Sequence, residues 1–281
     1  MGVFFFVSGY IINKTSNIDN IYSCFYFIRK KFFQLIIPLL FWSILTHYLF
    51  AKDVYYISYE DLYSQWERPH LWYLLTLFGY TLPFPFYKLF FNTKKLLWKI
   101  IIWLLWNSLI LILWKLTGEF KFAAMYLLSF AFGVLVSEHK KFEMCLKDKW
   151  LATISIMILL LFTNFFTSGG ISIFNSIIKL LLTFSSIVLI YQLCNIKWEQ
   201  KIDAYITKCG IYSIAIYAVH WFFLDIKFLT KYVDTSNELI IFLISSTIAI
   251  IISQICIYTK MITSKYYIFD SLMFGSKWRF K

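Results

Sequence analysis

The sequence is poor in the features of a soluble catalyst. Only 15 Asp and Glu stand against 27 Lys and Arg in 281 residues. No GxxxxGK(S/T) stretch offers a phosphate-cradling loop, and no HExxH offers a zinc site. The five cysteines (Cys24, Cys145, Cys194, Cys209 and Cys256) are scattered, with no CxxC pair and no His/Cys ligand spacing. Neither a metal site nor a disulfide framework is expected from them. No repeat of fixed period is evident. Nothing reads as a cleavable signal peptide, because no short apolar core is followed by a small-residue cleavage site and a polar mature domain. Apolar runs continue to the C-terminus and leave no space for a soluble domain of ordinary size.

What is present is apolar. Sixty per cent of residues are hydrophobic and 22% aromatic, and mean hydropathy is +0.69. Soluble domains are nearer half apolar, so the chain reads as an integral membrane protein. A net charge of +12 would suggest nucleic acid in a soluble chain. In a membrane chain it suggests basic loops facing anionic lipid, so the expected partner is the bilayer and not nucleic acid.

Nine apolar segments run at about 1–12, 33–51, 71–90, 96–116, 121–137, 150–168, 171–194, 209–228 and 238–258. Twenty Lys and Arg fall in the odd-numbered gaps and the tail, against six in the even-numbered gaps; Lys179 lies inside a segment. That alternation places the odd gaps and the C-terminus in the cytoplasm. Backbone groups in lipid must bond internally, so the spans are helices. The expected fold is all-α, a polytopic bundle with about nine spans in one domain over residues 1–281, multi-pass in the cell membrane. The first segment is short. Its 12 residues reach about 18 Å, where a span needs about 20 residues. The expectation is a chain truncated at its N-terminus, with a tenth span upstream. Pro83 and Pro85 predict a kink or early helix end in the third segment.

Four stretches follow one another along the chain. They are Gly2–Tyr10 (GVFFFVSGY), Phe27–Trp42 (FIRKKFFQLIIPLLFW), His70–Leu74 (HLWYL) and Ser213–His220 (SIAIYAVH). Tyr126–Gly133 (YLLSFAFG) and Phe269–Gly275 (FDSLMFG) add support. Together they resemble the acyltransferase 3 family over essentially the whole chain. The resemblance implies about ten spans and transfer of an acyl group, usually acetyl, from cytoplasmic acyl-CoA across the membrane. The implied acceptor is a hydroxyl of a cell-surface or exported polysaccharide, and no bound cofactor is implied. It also implies a first helix carrying a catalytic His. No residue of this chain matches that His, so none is assigned to it.

The remaining candidates carry two readings each. Arg29, Lys30 and Lys31 at the mouth of the second segment either hold the phosphates of acyl-CoA or anchor the helix at the inner surface. His70 opens the third segment and is a proton-transfer group by type; it reads equally as a member of an aromatic belt. Trp72 and Tyr73 beside it belong to an acceptor pocket or to that belt. His220 lies deep in its segment with Tyr217 one turn earlier on the same face. Intramembrane ionisable groups are costly and face the interior or a wet cavity. His220 either lines a transfer channel or is bonded structurally. Lys179 reads as snorkelling or internally paired, and His139 as a surface residue of a basic loop. Ser8 and Gly9 mark close helix packing rather than a nucleophile. No Ser/His/Asp arrangement can be derived across helices from sequence.

The alternative function is a transporter or export component for a glycan. No paired Gly/Pro-interrupted segments in corresponding halves support it. A further alternative is an inactive truncated remnant.

Overall fold

The computed structural model of the chain describes residues 1–50, 72–91, 95–117, 121–162, 173–220 and 238–275. It is 90% helical with no strand among the described residues, which is the all-α membrane fold expected. The helices are α1 (Gly2–Thr15), α2 (Ile21–Phe50), α3 (Trp72–Thr81), α4 (Pro83–Phe91), α5 (Leu96–Thr117), α6 (Lys121–Glu138), α7 (Lys140–Leu146), α8 (Lys149–Phe162), α9 (Ile173–Asn195), α10 (Gln200–Ile211), α11 (Ser213–Val219), α12 (Glu238–Thr263) and α13 (Tyr267–Phe274). Among the described residues, three stretches are long and apolar enough to cross a membrane: Leu96–Leu113, Ile177–Asn195 and Leu243–Thr263.

Local chemistry accounts for where the helices depart from the apolar runs. α2 begins twelve residues before its run. The Ser23 amide donates to Asn20 Oδ1 at 2.8 Å and the Asn20 amide donates to Ser23 Oγ at 3.1 Å. This reciprocal pair satisfies two amides at the helix start and fixes it there. The basic triad therefore rides on α2 instead of preceding it. The third segment breaks at Leu82. Pro83 disfavours the helical region for the residue before it, yet is tolerated as a first helical residue. The eighth run breaks at Tyr212, whose φ of −97° and ψ of 15° fall in the bridge region. α11 starts after it, and the preceding helix, α10, has no buried residue. α7, α10 and α13 all lie where loops or tail were expected.

The chain forms two compact units, Met1–Tyr26 with Gly79–Lys197, and Phe27–Phe78 with Trp198–Lys281. The first unit is built on α1 against α6. A Cβ on Gly9 would collide with the Phe130 carbonyl, and one on Gly133 with the Phe6 carbonyl. Backbone meets backbone at both glycines, the small-residue packing that membrane helices use in place of a hydrophobic drive. Phe6, Val136, Ile187 and Val188 fill the adjoining core. Gln192 on α9 donates to the carbonyls of Leu146 at 3.1 Å and Asp148 at 2.7 Å, closing the otherwise unsatisfied end of α7.

The second unit docks α13 on α2. Pro38 has no N–H, so the Gln34 carbonyl loses its usual intrahelical donor. The Gly275 backbone packs against that carbonyl, and its φ of +62° ends α13 in the left-handed region. Both constraints require glycine there. Trp42 Nε1 donates to the Met273 carbonyl at 2.8 Å, and the Lys260 ammonium on α12 pairs with the buried Asp270 carboxylate on α13.

Candidate functional site

Three groups of polar side chains stand out. The first is the triad on α2. Arg29 and Lys30 are exposed and Lys31 is half-buried. The Lys31 ammonium lies 5.7 Å from the Phe27 ring centroid, one turn earlier. Burial, with Lys30 next to it, pushes the Lys31 ammonium down to about 8. Lys31 is thus still largely cationic at neutral pH, but it is less well hydrated than its neighbours. An anion that reached it would gain more than at an exposed lysine.

The second group lies on α3 and α11 in the same unit. The Tyr73 and Tyr217 rings are 5.0 Å apart, and the Tyr217 and His220 rings are 6.1 Å apart. His220 Nδ1 sits 2.9 Å from the Ile216 carbonyl and 2.8 Å from the Tyr217 carbonyl. Both neighbours only accept, so Nδ1 carries the hydrogen in the neutral ring and Nε2 keeps its lone pair. This is the tautomer a base acting through Nε2 requires. The Tyr217 hydroxyl is buried without a partner in hydrogen-bond geometry among the described residues. Trp72 is 7% exposed, so nearly all of its ring is packed against protein. Its ring meets Tyr73 edge-on at 6.5 Å. His70 lies outside the described residues.

The third group was not legible as a site in the sequence, where Lys88 and Lys99 count as loop charges. In the first unit, Lys99 Nζ is 2.7 Å from Glu138 Oε2, with side-chain exposures of 5% and 8%. The Tyr87 hydroxyl donates to the same oxygen at 2.9 Å. Lys88 Nζ donates to Asn13 Oδ1 at 2.7 Å, and Asn13 Nδ2 to Ser137 Oγ at 2.6 Å. A pair this buried offsets its desolvation only through such hydrogen bonds; removing one partner costs about 3–5 kcal/mol. One clue was available: Lys99 is flanked on both sides by apolar residues (LLWKIII), the setting in which an ionisable group is costly. Its partner, 39 residues away, was not readable.

Lys179 is half-buried, its ammonium 5.4 Å from the Tyr126 ring centroid. His139 is half-buried and its ring meets Phe142 edge-on at 6.0 Å, so it is not a free surface residue. Among the described residues no group of three or more His, Cys, Asp or Glu could hold a metal ion.

Apolar helices and the absence of strands among the described residues define an all-α membrane protein. The chain belongs to the acyltransferase 3 family: the family model, described as an acyltransferase domain, matches residues 1–258. It is an acyltransferase. No curated protein and no solved structure matches it.

Proposed function

We propose that this acyltransferase takes an acyl group, acetyl first among the candidates, from cytoplasmic acyl-CoA. It passes the group across the cell membrane to a hydroxyl of a cell-surface or exported polysaccharide. The chain is multi-pass, with the odd gaps and the C-terminus in the cytoplasm. Arg29, Lys30 and Lys31 bind the donor's phosphates. The observation that carries the reading is this triad, fixed on a continuous helix by its capping pair in a chain of acyltransferase family.

In the reaction the acceptor oxygen attacks the thioester carbonyl. The C–O bond of the new ester forms, the C–S bond breaks, and the hydroxyl proton ends on the leaving thiolate. A base must take that proton and donors must hold the developing oxyanion. His220 Nε2 is the candidate base in this chain, held in place by the carbonyls at Nδ1. The Tyr217 hydroxyl is a candidate donor. His70, Trp72 and Tyr73 are assigned to the acceptor side.

Glycan analysis of cells lacking the gene tests the reading. Alkali-labile esters on the polysaccharide should disappear on deletion and return with the wild-type chain. The His220→Gln variant should restore at most about one hundredth of the transfer rate, the low end of a general-base contribution. Unchanged ester content with altered glycan export would reject transfer in favour of transport.

A further inference from the structure

A cavity of about 190 Å³ opens in the second unit between α2, α11, α12 and the end of α13. Its polar lining includes Gln34, Tyr212 and Lys260; Ile211, Ile214, Ala215 and Phe274 supply apolar walls. Three features define what it can take.

It is small. Pockets for drug-sized ligands run to about 300–1,000 Å³, so this one holds part of a longer molecule. It is also close to neutral, because the Lys260 charge is already paired with Asp270 and lies 4.7 Å from the Phe274 ring centroid. A phosphate would find no unpaired cation among the lining groups. Finally, it adjoins the triad. Lys30 and Lys31 precede Gln34 by four and three residues on one helix, so all three share a face within roughly 6 Å of rise. Two cationic residues on α2 and an amide-bearing apolar slot one turn further along the same helix make a site divided by chemistry.

We propose that the slot binds the pantetheine arm of an acyl-CoA. The Gln34 carboxamide pairs with an amide of the arm, the walls cover its methylene and methyl groups, and the phosphates remain on Arg29, Lys30 and Lys31. This rests on the donor reading above and adds the residues that hold the arm.

The test uses the full chain in lipid nanodiscs, titrated separately with CoA and with 3′-phosphoadenosine 5′-diphosphate, which lacks the arm. Wild type should bind CoA about tenfold tighter than the nucleotide fragment, the worth of one well-made set of contacts. Ala215→Leu, which fills the slot, and Gln34→Leu, which removes the amide, should each bring CoA down to the affinity of the fragment and leave the fragment unchanged. Ala215 is buried, so the more accessible Gln34 variant decides the matter if the Ala215→Leu chain does not fold. Equal affinities of wild type for the two ligands, or variants that retain the tenfold preference, would overturn the slot while leaving the phosphate role standing. Failure of wild type to bind either ligand would reject the donor reading itself, and the slot with it.

Discussion

At the residue scale, Lys31 is the most informative charge. An ordinary lysine titrates near 10.5; this one is pushed down to about 8 by burial, with Lys30 adding to the effect. Anion binding that uses its charge should be full near pH 7 and should weaken as pH rises through about 8, well before an ordinary lysine loses its proton. The sign for stability is opposite. Between about 8 and 10.5 the unfolded chain binds more protons than the folded one, so this group makes folding more favourable as pH rises. The titration of Lys31 itself therefore does not promote unfolding over that range. Titrating CoA at about pH 7 and about pH 9 should show the loss, and Lys31→Arg, always charged, should remove most of it. A wild-type affinity flat over that range would dismiss Lys31 as a phosphate ligand. His220 shows the limit of reading residues alone. The one-turn spacing from Tyr217 was visible in the sequence, but the carbonyls that set its tautomer emerge only from the backbone at the end of α11.

At the element scale, two motif segments that are distant in sequence meet. GVFFFVSGY supplies α1, YLLSFAFG supplies the middle of α6, and Gly9 and Gly133 each take the other helix's carbonyl where a side chain would stand. Gly133→Ala should destabilise the fold by about 1–3 kcal/mol, the cost of overpacking a fitted contact, read as a lower thermal midpoint in lipid. Gly210→Ala is the matched control. Nothing lies within 4 Å of its Cβ, so added helix propensity should leave stability equal or slightly raised. A Gly133→Ala protein as stable as wild type would deny that this contact holds the first unit.

Small residues in apolar runs made this packing legible. Helix limits were less so, because hydropathy alone marks apolar runs and not the capping pair at Asn20 and Ser23 that starts α2 among polar residues. For the same reason α13 was invisible: its docking depends on Pro38 freeing the Gln34 carbonyl and Gly275 fitting against it, a pairing across 241 positions of the chain.

At the scale of the whole molecule, composition carried the fold class and charge alternation carried the proposed orientation. Both are sums over many residues and tolerate local error. The buried Lys99–Glu138 pair is the opposite case, since it counts as ordinary loop charge until the ends of α5 and α6 are seen together. The acyltransferase family follows from ordered motifs, and the match over residues 1–258 agrees with them. The central claim is that a cationic inner rim receives an acyl donor and the group leaves on the other face. Sealed inside-out membrane vesicles supplied with acetyl-CoA labelled in the acetyl group measure it directly. Label is expected in alkali-labile esters of polysaccharide inside the vesicles, and is expected to be lost when Arg29, Lys30 and Lys31 are all replaced by Gln. Label appearing equally in right-side-out vesicles, or persisting in that triple variant, would contradict it.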